Sequence, residues 1–152
     1  LTEQKDHMTL LKAAKLINPS IKPELIIIGK GKEYINLKNF IISNDLQKIV
    51  KLIGYKANSY NFIKKCDIFV LTSKYEGLPN VLLEAQFFKK YIISSNCPTG
   101  PKEILLNGKA GDLFNMCDYK KLADYINNYR SNIKIKVKII VKIVLLIMST
   151  PV

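Results

Sequence analysis

The sequence predicts an α/β domain organised as a doubly wound parallel sheet, and three observations carry that expectation. Two continuous apolar runs, residues 25–28 (LIII) and 67–72 (DIFVLT), have the length and β-branched content of strands buried on both faces. Stretches with helical spacing of apolar residues lie around and between them. The connections are short, so strand and helix alternate, and that order suits a parallel sheet whose crossovers are helices. In such a sheet ligands bind beyond the carboxyl ends of the strands.

The elements follow in chain order. Over residues 6–17, Leu10, Ala13, Ala14 and Ile17 recur at the spacing of one helix face, and Asn18-Pro19 ends the helix. The run 25–28 is a strand closed by Gly29, and a weaker helical stretch carries Tyr34, Leu37 and Ile41. Residues 49–55 read as the next strand, 59–65 as a short helix and 67–72 as a second buried strand. The loop 73–78 leads into a helix with Pro79 near its first turn, running through Val81, Leu82, Ala85 and Phe88. Residues 91–94 form a short strand. The turn Cys97-Pro98-Thr99-Gly100-Pro101 precedes a helix over 102–106 that Asn107-Gly108 terminates, and a last helix spans 119–129.

After Arg130 the pattern changes. Residues 133–138 alternate Lys with β-branched residues, and 139–148 are almost wholly apolar, too short to span a bilayer and interrupted by Lys142. The sequence therefore divides into a domain over 1–130 and an atypical basic and apolar tail over 131–152. The tail reads either as the product of a reading-frame slip or as a membrane-surface segment.

Composition narrows the function classes. The formal net charge of +12 is spread along the chain as Lys, with a single Arg and no aromatic-basic platform, which argues against nucleic acid as a partner. Attraction to an anionic membrane or a phosphorylated ligand fits it. Cys66, Cys97 and Cys117 lie far apart without metal-ligand spacing, as expected of free thiols in a reducing cytoplasm. His7 is the only histidine, so neither a His-based metal cluster nor a Ser-His-Asp triad can be assembled; a surface or helix-start position suits it. Gly29-Lys30-Gly31 lacks the third glycine of a dinucleotide fingerprint and reads as a tight strand-to-helix turn.

The segment richest in chemistry is SKYEGLPNVLLEA, residues 73–85. Glu76 sits in the loop after a buried strand, Glu84 lies in the following helix, and Gly77 leaves backbone room between them. Amides at the helix start can hold a phosphate or a sugar hydroxyl, and a carboxylate can accept two hydrogen bonds from a vicinal diol. From spacing alone, a loop charge and an exposed helix residue account for the two Glu equally well.

This segment resembles the signature of family 4 of the retaining glycosyltransferases, in which two Glu separated by seven residues follow a strand ending in Ser or Thr. Residues 1–7 (LTEQKDH) are similar to the phosphate-binding start of that family's C-terminal domain, 27–31 (IIGKG) to its next strand and turn, and 96–105 (NCPTGPKEIL) to a segment of members that build bacterial surface glycans. The resemblance covers residues 1–129. It implies a Rossmann-like donor-binding half of a GT-B enzyme and transfer with retention from a nucleotide sugar, a UDP-sugar, to a surface polysaccharide, lipopolysaccharide or lipid-linked glycan. A non-catalytic nucleotide-sugar-binding fragment and a peripheral membrane protein are the alternatives.

Carried over position by position, the resemblance assigns Glu84 to the ribose hydroxyls and Glu76 to the donor hexose. It sets the amides of Gly77 and Leu78 near sugar and diphosphate, and Lys5 against the diphosphate, where charge builds as the glycosidic bond breaks. Val81 and Leu82 fall near the nucleoside in the family, with core packing as the equal reading; Thr99 and Gly100 precede a helix start and can approach the donor. No metal and no cofactor beyond the nucleotide-sugar co-substrate is expected; the location expected is cytoplasmic, with peripheral attachment at the inner face of the cytoplasmic membrane as the open option.

Two departures set further expectations. The family's domain begins with a central strand and an Arg before the position of Leu1, so the chain is expected to be truncated at its N-terminus, with the first strand missing from the sheet and the acceptor-holding N-terminal domain absent. The strands over 25–28 and 68–70 are then expected to present open apolar edges, and the chain alone to transfer no sugar.

Overall fold

The computed structural model of the chain describes residues 1–132 and 141–146. Six parallel strands form one open sheet: β1 (Pro23–Ile28), β2 (Val50–Leu52), β3 (Ile68–Leu71), β4 (Tyr91–Ser95), β5 (Asp112–Phe114) and β6 (Val141–Leu146), in the order β2-β1-β6-β3-β4-β5. The helices are α1 (His7–Ala14), α2 (Tyr34–Ser43), α3 (Tyr60–Lys65), α4 (Asn80–Phe87), α5 (Pro101–Ile104) and α6 (Tyr119–Asn132).

Alternation along the buried strands explains why the sheet is covered twice. Leu25, Ile27, Ile68, Val70, Ile93, Ile143 and Leu145 face one side and pack with α1, α2 and α6 through Leu10, Leu11, Leu37, Ile41, Leu122 and Ile126. Ile28, Phe69, Leu71, Ile92 and Val144 face the other side and pack with α3 and α4 through Ile63, Val81, Leu82 and Ala85. Because a strand's side chains alternate between faces, a strand at the centre of such a sheet is apolar on both faces along its buried span. All four residues of β3 are buried, as that geometry requires.

The same requirement accounts for β6, and here the structure corrects the sequence reading. The chain does open with helical structure, but the middle of the sheet is not vacant. β6 pairs with β1 through six register positions, from Pro23 opposite Val141 to Ile28 opposite Leu146, and with β3 at Ile68–Ile143 and Phe69–Val144. The edges expected to be open are therefore hydrogen-bonded. Six residues assigned to a tail form a core strand, because a short apolar run with β-branched residues satisfies both faces of a sheet. Residues 133–140, including the Lys and β-branched alternation, and residues 147–152 lie outside the described residues.

Smaller differences are local. β5 was not foreseen, being three residues long, and the strand expected over 49–55 is confined to Val50–Leu52. The chain start is packed into the fold: Leu1 is buried and its ammonium group donates to the Lys30 carbonyl. Gly31, at φ 151°, faces the Leu1 backbone so closely that any β-carbon would collide with it, so the glycine turn serves a close backbone approach.

Candidate functional site

The carboxyl end of β3 continues into Thr72 and Ser73, both buried, and two hydrogen bonds hold this exit in place. Thr72 Oγ1 donates to the Lys5 carbonyl at 2.7 Å, and Ser95 Oγ, at the end of the neighbouring β4, donates to the Ser73 carbonyl at 2.6 Å. The turn before α1 is docked on the same loop: the Lys74 amide donates to the Gln4 carbonyl at 2.8 Å, and Gln4 Nε2 donates to the Tyr75 carbonyl at 2.9 Å. Segments some seventy positions apart in sequence thus form one rim.

On that rim Lys5 Nζ lies 2.7 Å from Glu76 Oε1, with both side chains largely buried. Ser73 Oγ donates to the same oxygen at 2.5 Å. Both donors meet Oε1, and Oε2 of Glu76 has no partner among the described residues. A partly desolvated pair of this kind holds its geometry better than one in free solvent, where ion pairs contribute little. The structure therefore brings together Lys5 and Glu76, two of the residues singled out in the sequence.

The loop behind Glu76 is braced by the turn after β4. Thr99 Oγ1 donates to the Glu76 carbonyl, and Gly100, at φ 90°, packs its α-carbon beneath Pro79 and the Gly77 carbonyl, where a β-carbon would meet Pro79 Cδ at 2.4 Å. Thr99 and Gly100 act here on the loop from behind. In front, the space around Gly77 is open, since a β-carbon added there meets nothing within 4 Å. Gly77 and Leu78 are exposed, and their amides donate to no backbone carbonyl among the described residues. Unpaired amides ahead of an eight-residue helix make a local concentration of donors and partial positive charge.

Val81 and Leu82 point into the core with Ile63, Phe69 and Ala85, which is the packing reading left open in the sequence. Glu84 lies one turn into α4, with Oε1 3.4 Å from the Tyr60 hydroxyl and Oε2 buried without a hydrogen-bond partner. Burial pushes the Glu84 carboxyl above its usual pKa, and the Tyr60 hydroxyl partly offsets this. A buried carboxylate oxygen without a donor is costly, so Glu84 is poised to accept a hydroxyl. It opens onto a shallow depression of about 410 Å³ lined by Tyr60, Leu83, Phe87 and Phe88. A larger cavity of about 710 Å³ lies at the amino ends of β1 and β2 and includes none of the site residues.

Sequence reasoning missed Thr72, Ser95, Gln4 and Tyr60. The first three act through buried or backbone-directed bonds that no local pattern announces, and Tyr60 reaches Glu84 across 24 positions. His7 does start α1 as expected, but it is buried rather than on the surface, with neither ring nitrogen hydrogen-bonded. Burial, reinforced by the nearby chain-terminal ammonium and Lys5, lowers its pKa from 6.5 to about 3. Among the described residues no group of three or more His, Cys, Asp or Glu is placed to hold a metal ion.

An open, doubly wound parallel sheet with a cation, a carboxylate and free amides at the carboxyl end of a central strand has the arrangement of α/β domains of the crevice type. Residues 1–140 match the family described as glycosyl transferases group 1, and the chain belongs to that family. It is 39% identical over 106 residues to an uncharacterized glycosyltransferase of Methanocaldococcus jannaschii, covering 69% of this chain and 26% of that protein. It is 28% identical over 111 residues to the N-acetylgalactosamine-N,N'-diacetylbacillosaminyl-diphospho-undecaprenol 4-alpha-N-acetylgalactosaminyltransferase of Campylobacter jejuni, covering 73% and 30%. The chain thus spans less than a third of the length of these relatives. In fold it matches the crystal structure of Anabaena HepE in complex with UDP-glucose, with a TM-score of 0.79 and 24% identity over 88% of this chain and 38% of that one. The sheet is the Rossmann-like sheet of GT-B glycosyltransferases.

Proposed function

We propose that this chain is the donor-binding domain of a family 4 retaining glycosyltransferase that uses a nucleotide sugar, with a UDP-sugar as the donor. The observation that carries the reading is the Lys5–Glu76–Ser73 cluster at the carboxyl end of β3, set beside the unpaired amides of Gly77 and Leu78. Glu76 takes the hydroxyls of the transferred hexose through its free oxygen. The Gly77 and Leu78 amides lie against sugar and diphosphate, and Glu84 accepts from the ribose. Lys5 neutralises the leaving nucleoside diphosphate as the glycosidic bond breaks, which lowers the barrier where charge develops. The fixed cation supplies this charge without a metal or a further cofactor.

The acceptor in this reading is a surface polysaccharide, lipopolysaccharide or lipid-linked glycan, reached at the cytoplasmic face of the membrane. It is held by a separate N-terminal domain that closes over the donor. Transfer therefore belongs to the assembly of both domains, whereas donor recognition belongs to this chain. No helix among the described residues is long and apolar enough to cross a membrane, which fits peripheral attachment.

Calorimetry with UDP and UDP-glucose tests the assignment. Glu84→Gln replaces a charged acceptor by a neutral amide and weakens UDP by about tenfold, roughly 1.4 kcal/mol, while Glu76→Gln weakens UDP-glucose far more than UDP. Binding of both ligands by both variants at the unaltered affinity would overturn the reading.

A further inference from the structure

The inward side of α4 is accounted for by Val81, Leu82 and Ala85, but its outward side is not. Leu83 and Phe87 stand one turn apart there, 44% and 80% exposed, and Tyr60, at the start of α3, is 48% exposed. The rings of Tyr60 and Phe88 lie 6.3 Å apart and those of Phe87 and Phe88 5.2 Å apart, so four apolar side chains form one continuous patch. A large aromatic ring left four-fifths in water, next to others, is unusual on a surface that faces only solvent.

Lysines cluster at the carboxyl ends of both helices. Lys64 and Lys65 close α3, Lys89 and Lys90 follow α4, and Lys90 Nζ donates to the Lys64 carbonyl at 2.7 Å, tying the two helix ends into one basic rim. Among the described residues the only carboxylate lining the depression is Glu84.

We infer that this α3/α4 face is a docking surface for an anionic lipid bilayer, with Leu83 and Phe87 entering the headgroup boundary and the lysine rim contacting anionic headgroups. Charge decides the occupant. A second copy of a chain carrying a net charge of +12 would set lysine rim against lysine rim, whereas an anionic bilayer satisfies both halves of the surface at once. Aromatic side chains favour the interfacial level, and lysines extend along apolar surface to reach phosphates. The inference deepens the peripheral placement proposed above and does not depend on donor chemistry.

The chain contains no Trp, so one introduced indole reports on its own location. Phe87→Trp is placed in the patch, and Ile35→Trp on α2, exposed on the opposite side of the sheet, is the control. With vesicles of phosphatidylcholine and phosphatidylglycerol, the indole at position 87 shifts to shorter emission wavelength and the indole at 35 does not; pure phosphatidylcholine gives a much smaller shift. In co-sedimentation, Leu83→Ser/Phe87→Ser lowers vesicle affinity by tenfold or more. Lys64→Gln/Lys89→Gln lowers it several-fold, and Lys22→Gln/Lys48→Gln, an equal charge change at the far cavity, leaves it nearly unchanged. Melting temperature, measured on every variant, stays at the unaltered value, and so does UDP affinity in the lysine variants and Ile35→Trp, whose altered residues do not line the depression beside Glu84. Equal loss from the two lysine pairs would show diffuse attraction and overturn the docking surface, as would an unshifted indole at 87 on bound protein. Either outcome with UDP binding intact leaves the donor-site reading standing, and failure of the unaltered chain to bind UDP strikes that reading alone.

Discussion

β3 and β6 are neighbours in the sheet and meet the same physical demand, yet they differ in how that demand is written in the sequence. β3 arrives after a short helix, is wholly buried, and hands the chain to a loop punctuated by Ser73, Gly77 and Pro79. β6 comes after α6 in a stretch that has lost the α/β rhythm, and nothing nearby marks it as a strand of this domain. Its place follows only from the vacancy it fills between β1 and β3. Local punctuation locates a site-bearing strand, whereas a purely architectural strand is recognised from the partners that need it.

Register partners offer the sharpest way to break that comparison. Ile68 and Ile143 face each other across β3 and β6, and both are fully buried. Ile68→Ala and Ile143→Ala should each cost about 2–5 kcal/mol in denaturant unfolding, as buried Ile-to-Ala changes do. An effect of Ile143→Ala within roughly 0.5 kcal/mol, the range of surface substitutions, would return β6 to the status of a tail.

The second test concerns His7, where tertiary burial again overrides local appearance. Its pKa falls from 6.5 to about 3 on folding, so between those values the unfolded chain binds a proton that the native chain excludes. Stability from His7 is fully present above pH 6.5 and is lost progressively as the pH falls toward 3. Glu84, whose carboxyl is raised by burial, acts in the opposite sense, because the native state holds its proton more firmly. A melting-temperature profile should therefore decline below pH 6.5, and His7→Gln should flatten that decline. Parallel profiles for the two proteins would show that His7 is solvated.

The smallest expected effect concerns a position where local sequence and backbone disagree. Lys89, just after α4, sits at φ 53°, a left-handed conformation that glycine adopts without steric cost. Lys89→Gly should raise stability by about 1 kcal/mol, the scale of the left-handed penalty for a residue with a β-carbon. Unchanged or lowered stability in thermal unfolding would mean that the Lys89 side chain contributes contacts that outweigh the strain.

Legibility followed the same division. α1, α4 and α6 were readable from helical spacing of apolar residues and β1, β3 and β4 from short apolar runs, with Asn18-Pro19 ending α1 and Gly29 closing β1. β5 escaped because three residues, two of them only half-buried, carry no period. Within the candidate site, Glu76 and Lys5 were named through resemblance, and their direct contact emerged only when the fold joined the chain start to the loop after β3. The support from Tyr60, Thr72 and Ser95 is tertiary: each bond reaches to another part of the chain.

The position of β6 also sets a clock on folding. Among the described strands it is the last to be synthesised, and β1 and β3 are each adjacent to it but not to one another. A nascent chain carrying only the first five strands holds two separate sub-sheets, β2-β1 and β3-β4-β5, with no hydrogen-bonded seam between them. Closing that seam requires the last-made strand to thread between segments made long before, a non-local parallel pairing of the kind that slows folding. Until β6 is in place the facing edges of β1 and β3 stay unpaired, and exposed apolar strand edges of that kind are where an unfinished sheet aggregates.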